Sequence, residues 1–166
     1  KLFTLEKVHK GGAVFNIDKL KWLNKHYLKL LPMDRVGEQI LARLPDDLRA
    51  SAKNVPEIFA KVVPVILERI SSFGEVAELA SGGEVGYFFN DPAYPAEALF
   101  WKDDKDAGHT RAHLDKVTET LQKINPADFT ADTVKTALWD YATEVGRGNV
   151  LWPMRYALSG RDKSPD

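Results

Sequence analysis

The sequence predicts an all-α fold. Apolar residues recur at three- and four-residue spacing through almost every periodic stretch, no stretch alternates apolar and polar as a half-buried strand would, and Gly and Pro gather at a few breaks rather than at regular hairpin spacing. The spacing alone gives six or more helices packed around a core.

The first helix is predicted over residues 17–31. Asn16 supplies an N-cap, Leu20, Leu23, Tyr27, Leu28 and Leu31 form one stripe, and Pro32 stops the run. A weaker helix is expected over 35–44, ending before Pro45. From Pro56 to Ile70 the residues Phe59, Val62, Val63, Ile66 and Ile70 keep helical spacing, with Pro64 expected to kink the helix. Between Gly82 and Pro95 the chain carries Gly82, Gly83, Gly86, Asn90, Pro92 and Pro95, a break that marks the subdomain junction. Its Tyr87-Phe88-Phe89 triplet suits either base stacking or, more commonly, plugging a core. Helical spacing resumes over 108–124 through Leu114, Val117, Leu121 and Ile124. Thr130 opens the next helix, with Val134, Ala137, Leu138, Tyr141 and Val145 on its buried face and Gly146 as the stop. The last is expected over 150–158, with Pro153 in its first turn and Gly160 ending it.

Composition narrows the class. A chain of 166 residues with 44% apolar content and net charge −1 has enough material for one or two compact units. It holds no apolar run of bilayer length and no secretory leader pattern, so a cytoplasmic, membrane-free protein is expected. Without cysteine, thiolate nucleophiles, disulfides and cysteine metal sites are all excluded. The charge is uneven: in residues 1–30 seven lysines stand against Glu6 and Asp18, a balance of +5, so the other 136 residues sum to −6. Such a segment suits a phosphate backbone, although a solvated lysine face is the commoner reading of such a run.

No catalytic constellation emerges. There is no glycine-rich phosphate loop between strand and helix, and no Ser-His-acid set. His109 and His113 stand at i and i+4, a spacing two zinc ligands can use, but the residue after the first His is Thr110 rather than the Glu a metalloprotease needs. Neither a catalytic residue nor a metal site is expected.

The binding chemistry is concentrated at the end of the chain. In Gly148-Asn149-Val150-Leu151-Trp152-Pro153-Met154-Arg155-Tyr156-Ala157-Leu158-Ser159-Gly160, Arg155 carries planar, permanently charged donors suited to a base edge or phosphate. Trp152 and Tyr156 flank it, as packing more than as stacking platforms. Arg161, Lys163 and Ser164 follow in a loop, where amides, charges and a hydroxyl can meet a ribose-phosphate chain. This run, with Lys19-Leu20-Lys21-Trp22-Leu23-Asn24-Lys25-His26-Tyr27-Leu28 and His9-Lys10-Gly11-Gly12-Ala13-Val14-Phe15, resembles the C-terminal part of bacterial glutamyl-tRNA synthetases. The resemblance covers nearly the whole chain in patches, specific at the two ends and loose over Arg69 to Phe89.

The resemblance implies a helical bundle or cage of about seven to nine helices in two packed subdomains. It implies anticodon-binding roles for Arg155 and Ser164, beside which the loop position of Arg161 and Lys163 suits RNA-backbone contacts. By a looser alignment that the Gly82-Gly83 insertion disturbs, Arg69 falls where many members read the third anticodon base. Glutamate anticodons end in cytosine, whose O2 and N3 accept from an arginine fork; glutamine anticodons end in guanine, whose N1–H and N2–H oppose it, at about 1–3 kcal/mol per mismatch. Residues 1–31 are expected to end a connecting region, with 32–90 and 91–166 as two helical anticodon-binding subdomains, the second truncated. The nucleotide-binding domain of the family, with its His-Ile-Gly-His and Lys-Met-Ser-Lys type motifs, has no counterpart here. ATP, magnesium and aminoacylation are therefore expected only of a longer parent, and the partners expected are a glutamate tRNA anticodon loop and that missing catalytic domain. A monomer is expected. A helical protein-interaction module without a nucleic-acid role is the alternative, and a small metal-dependent enzyme using His109 and His113 a more distant one.

Overall fold

The computed structural model describes residues 15–102 and 104–164. The stretch His9–Val14, the lysines at 1, 7 and 10, and Pro165 therefore lie outside the described residues. Among those described, the chain forms eight α-helices and no strand beyond an isolated Trp101–Asp104 bridge: α1 (Ile17–Leu28), α2 (Met33–Leu41), α3 (Asp46–Asn54), α4 (Pro56–Arg69), α5 (Glu75–Ser81), α6 (Ala107–Gln122), α7 (Ala131–Val145) and α8 (Arg147–Ser159). The all-α architecture is as the sequence predicts. Short 3-10 turns occur at Gly86–Phe88, Ala96–Leu99 and Pro126–Asp128.

Two hydrophobic cores form. Val36, Ile40, Leu44, Val62, Ile66, Ile70, Val76 and Val85 anchor the first, which runs from Leu28 at the end of α1 to the turn after α5. Val117, Leu138, Ala142 and Val150 anchor the second, between α6, α7 and α8. Pro64 does not divide α4. Both Pro64 and Ala60, whose carbonyl loses its helical donor there, are exposed, so the proline falls on the solvent side of the helix.

Several boundaries differ from those the sequence predicts, for identifiable reasons. α1 stops at Leu28, and residues 29–31 tighten into a turn through Leu30 N–Tyr27 O and Leu31 N–Leu28 O bonds of 3.1 and 3.2 Å. Its stripe is not a core stripe: Leu28 alone is buried, while Leu20, Leu23, Tyr27 and Leu31 stay exposed. The helix is attached by its last turn, where the side chain of Asn24 donates to the Ser71 carbonyl, Lys25 reaches the Glu68 carbonyl, and Lys29 pairs with Glu68 at 2.6 Å. α2 begins at Met33 and ends at Leu41 rather than running over 35–44. Arg49 caps that end, donating from Nε to the Leu41 carbonyl at 3.1 Å and from Nη2 to that of Leu44 at 2.8 Å. α3 and α5 escape the periodicity because each buries only two side chains four apart, Leu48 with Ala52 and Val76 with Ala80. α8 starts at Arg147, a turn earlier than expected, so Pro153 lies inside the helix, fully buried, instead of in its first turn.

The N-terminus of α7 is closed by a reciprocal box. Thr130 Oγ1 accepts from the Thr133 amide at 3.3 Å, and Thr133 Oγ1 accepts from the Thr130 amide at 2.9 Å. Thr130→Ala is expected to lower stability by about 1 kcal/mol. A urea titration should show this as a lower midpoint at unchanged slope.

Candidate nucleic-acid interface

α8 carries two kinds of side chain on two faces. One face is an aromatic ladder that fastens the helix to the segment before α6. Trp152 packs against Trp101 with the rings tilted at 45° and their centroids 5.3 Å apart and donates from Nε1 to the Ala98 carbonyl at 3.0 Å, while Tyr156 meets Trp152 at 5.7 Å and Tyr94 edge-on at 5.8 Å. Trp152 and Tyr156 are therefore packing, not free platforms. Gly148 makes the approach of Trp101 feasible, since a Cβ there would stand 2.0 Å from the indole nitrogen.

The other face is open. Leu151, Met154, Arg155 and Leu158 line a cleft of about 570 Å3, walled opposite by Val65 of α4 and by Tyr87 and Phe88. Arg155 is exposed, and no acid or carbonyl among the described residues holds its guanidinium. Gly160 then turns the chain with φ 65°, the left-handed C-cap that glycine adopts without steric cost. Ser159 fixes the reversal, donating from Oγ to the Arg155 carbonyl at 2.7 Å and accepting from the Arg161 amide at 3.2 Å. The returning chain sets Ser164 on the same cleft as Arg155.

Arg69 ends α4 on the neighbouring side. Its Nη2 forms an ion pair with Oε2 of Glu84, the two side chains being 30% and 33% exposed. Glu84 follows a turn in which Gly83 has φ 75°, and this turn is gripped from the other side by Arg161, whose Nη1 donates to the Gly82 carbonyl at 2.5 Å. Gly83 is required by its φ, and a Cβ there would stand 2.5 Å from Nη1 of Arg161 and displace that guanidinium from the Gly82 carbonyl. Tyr87 sits among these charges. Its hydroxyl is buried and lacks a well-formed hydrogen bond, and burial raises the phenol pKa against the pull of Arg69 and Arg161. The Nε of Arg161 is likewise buried and has no hydrogen-bond partner among the described residues.

Of the residues singled out from the sequence, Arg155 and Ser164 share one cleft, and Arg69 approaches it through Tyr87. Arg161 is turned inward to the 82–83 turn, and Lys163 projects outward, exposed. Phe88 and Phe89 pack on the first core, so the aromatic triplet is mainly a plug. Sequence reasoning missed Glu84 and the cleft-lining role of Tyr87. The signal available was a Gly-Gly pair, which permits a positive-φ turn, followed at once by an acid. His113 Nδ1 lies 2.7 Å from the Tyr141 hydroxyl, while His109 faces Asp104 and Asp106 at 3.5 and 4.0 Å. No three metal-ligating side chains come together among the described residues.

The chain is similar to known proteins over nearly its whole length. The family described as the anticodon binding domain matches residues 26–166. The glutamate–tRNA ligase of Clostridium kluyveri is 29% identical over 99% of the chain, and that of Chlorobaculum parvum 30% identical over 98%. In both cases the match covers 32% of the relative, so the chain spans about a third of their length. The crystal structure of a glutamate tRNA ligase from Elizabethkingia meningosepticum, in complex with its amino acid, superposes with a TM-score of 0.62 at 26% identity, covering 99% of this chain and 30% of that one.

Proposed function

Because this chain belongs to the anticodon-binding domain family, we propose that it reads the anticodon of a glutamate tRNA on behalf of a longer glutamate–tRNA ligase. The observation that carries the reading is the cleft of α8, where Arg155, exposed and without an acidic partner among the described residues, and the hydroxyl-bearing Ser164 stand at the rim of a wall of Tyr87, Phe88 and Met154. A single-stranded loop is read by splaying its bases onto apolar and aromatic surface and bonding their edges. A cleft of this volume admits a base, and Arg155 offers donors for its edge or for an adjacent phosphate.

Within this reading Arg69 addresses the third anticodon base, and Lys163 meets the RNA backbone. Arg161 is assigned a bracing role at the 82–83 turn, with its backbone contact secondary. ATP and magnesium belong to the catalytic part of the ligase, a cytoplasmic monomer in this proposal. No helix among the described residues is long and apolar enough to cross a membrane.

A low-salt titration with a glutamate anticodon stem-loop, against the same loop with its third anticodon base changed from cytosine to guanine, tests the assignment. Binding should favour cytosine by roughly 5- to 100-fold, the range of one mismatched base. Arg69→Gln should bring the two loops together. A preference that survives in Arg69→Gln removes the assignment of Arg69, and absence of binding to either loop would leave the chain as a helical protein-interaction module.

A further inference from the structure

Arg69 is not a free cation: an acid from a different element occupies one of its edges. We propose that Glu84 is a positioning residue for base selectivity, anchoring one edge of the Arg69 guanidinium so that the opposite edge is presented to a base rather than to phosphate. The inference rests on the anticodon reading of Arg69 given above.

An arginine side chain has several rotatable bonds and a delocalised charge, and beside RNA the nearest attractive group is usually a phosphate, which carries no sequence information. A carboxylate fixed against one edge changes both properties. It lowers the net charge, so the pull toward phosphate falls, and it holds Nη2, which restricts the directions open to the remaining N–H groups. Glu84 is itself held. Its amide donates to the Leu79 carbonyl at 3.1 Å, and the preceding turn is fastened to the end of α8 by the Arg161–Gly82 bond. The backbone that carries the carboxylate is thus held on both sides. Anchored in this way, the guanidinium offers donors that the O2 and N3 of cytosine accept and that the N1–H and N2–H of guanine oppose.

The test uses the full 166-residue chain, the cytosine and guanine stem-loops, and the variants Glu84→Gln and Glu84→Asp beside Arg69→Gln. Glu84→Gln should lower the cytosine-to-guanine ratio roughly tenfold, within the span of one base contact, chiefly by tightening the guanine loop. Its salt dependence should steepen by about 0.7 in log-log slope as the freed arginine takes a phosphate. Glu84→Asp, keeping a carboxylate, should retain more of the ratio than Glu84→Gln. Equal weakening of both loops in Glu84→Gln, with the ratio intact, would make Glu84 a mere brace and overturn the proposal. If Arg69→Gln also leaves the ratio intact, the anticodon reading of Arg69 fails with it; if only Arg69→Gln flattens it, that reading stands and this one falls.

Discussion

Arg155→Ala should weaken binding of a glutamate anticodon stem-loop by roughly 10- to 100-fold, the worth of about 1.5–3 kcal/mol for a charge-assisted hydrogen bond. The loss should fall on binding alone. Arg155 is exposed and makes no side-chain bond among the described residues, so its removal strips nothing from the fold, and alanine is the better helix former by a few tenths of a kcal/mol. A thermal melt within a degree of the parent, alongside the lost affinity, is the expected pair of results. Arg155→Lys separates two uses of the charge. A phosphate contact keeps most of its strength with an ammonium, whereas a base-edge contact needs the fork and does not. Unchanged affinity in Arg155→Ala would take the α8 cleft out of the recognition surface.

Gly148→Ala should destabilise the protein by about 2 kcal/mol although helix propensity argues for the opposite. Gly148 is the second residue of α8, and alanine within a helix gains up to about 1 kcal/mol over glycine. Here the new Cβ would stand 2.0 Å from Nε1 and 2.2 Å from Cε2 of Trp101, contacts that no small adjustment relieves. Trp101 must leave, and with it the ring contact to Trp152 at 5.3 Å that fastens α8 to the segment carrying Ala98. Overpacking costs typically 1–3 kcal/mol, and a lost aromatic pair adds about 0.5–1.5. The clash therefore wins over the propensity. Denaturant unfolding measures it directly, and a gain in stability would mean that Trp101 does not occupy this place.

How much of this was legible in the sequence depends on the range of the interaction. The long helices announce themselves because four or five apolar residues repeat on one face, as in α4 and α7. The caps Asn16 and Thr130 and the stops Gly146 and Gly160 are readable because each acts on its own neighbours. α3 and α5 are not, since seven or nine residues with two buried side chains make no period. The stripe on α1 misleads for the opposite reason: its spacing is helical, yet apart from Leu28 the stripe stays exposed. At the candidate site, Arg155 and Ser164 were accessible through local pattern and resemblance. The Arg69–Glu84 pair and the Arg161–Gly82 bond were not, because they join residues 15 and 79 positions apart. Pairings of that kind are set by how helices pack, and no local spacing encodes them.

The cleft lies where the two cores meet, with Val65 and Tyr87 contributed from one side and Arg155 and Leu158 from the other. A ligand held by both walls adds its binding free energy to the joined arrangement and to neither half alone. Occupancy and cohesion are thereby one equilibrium seen from two ends. Whatever loosens the seam taxes affinity by the fraction of time the walls are apart, and whatever fills the cleft draws two separately built cores into a single cooperative unit.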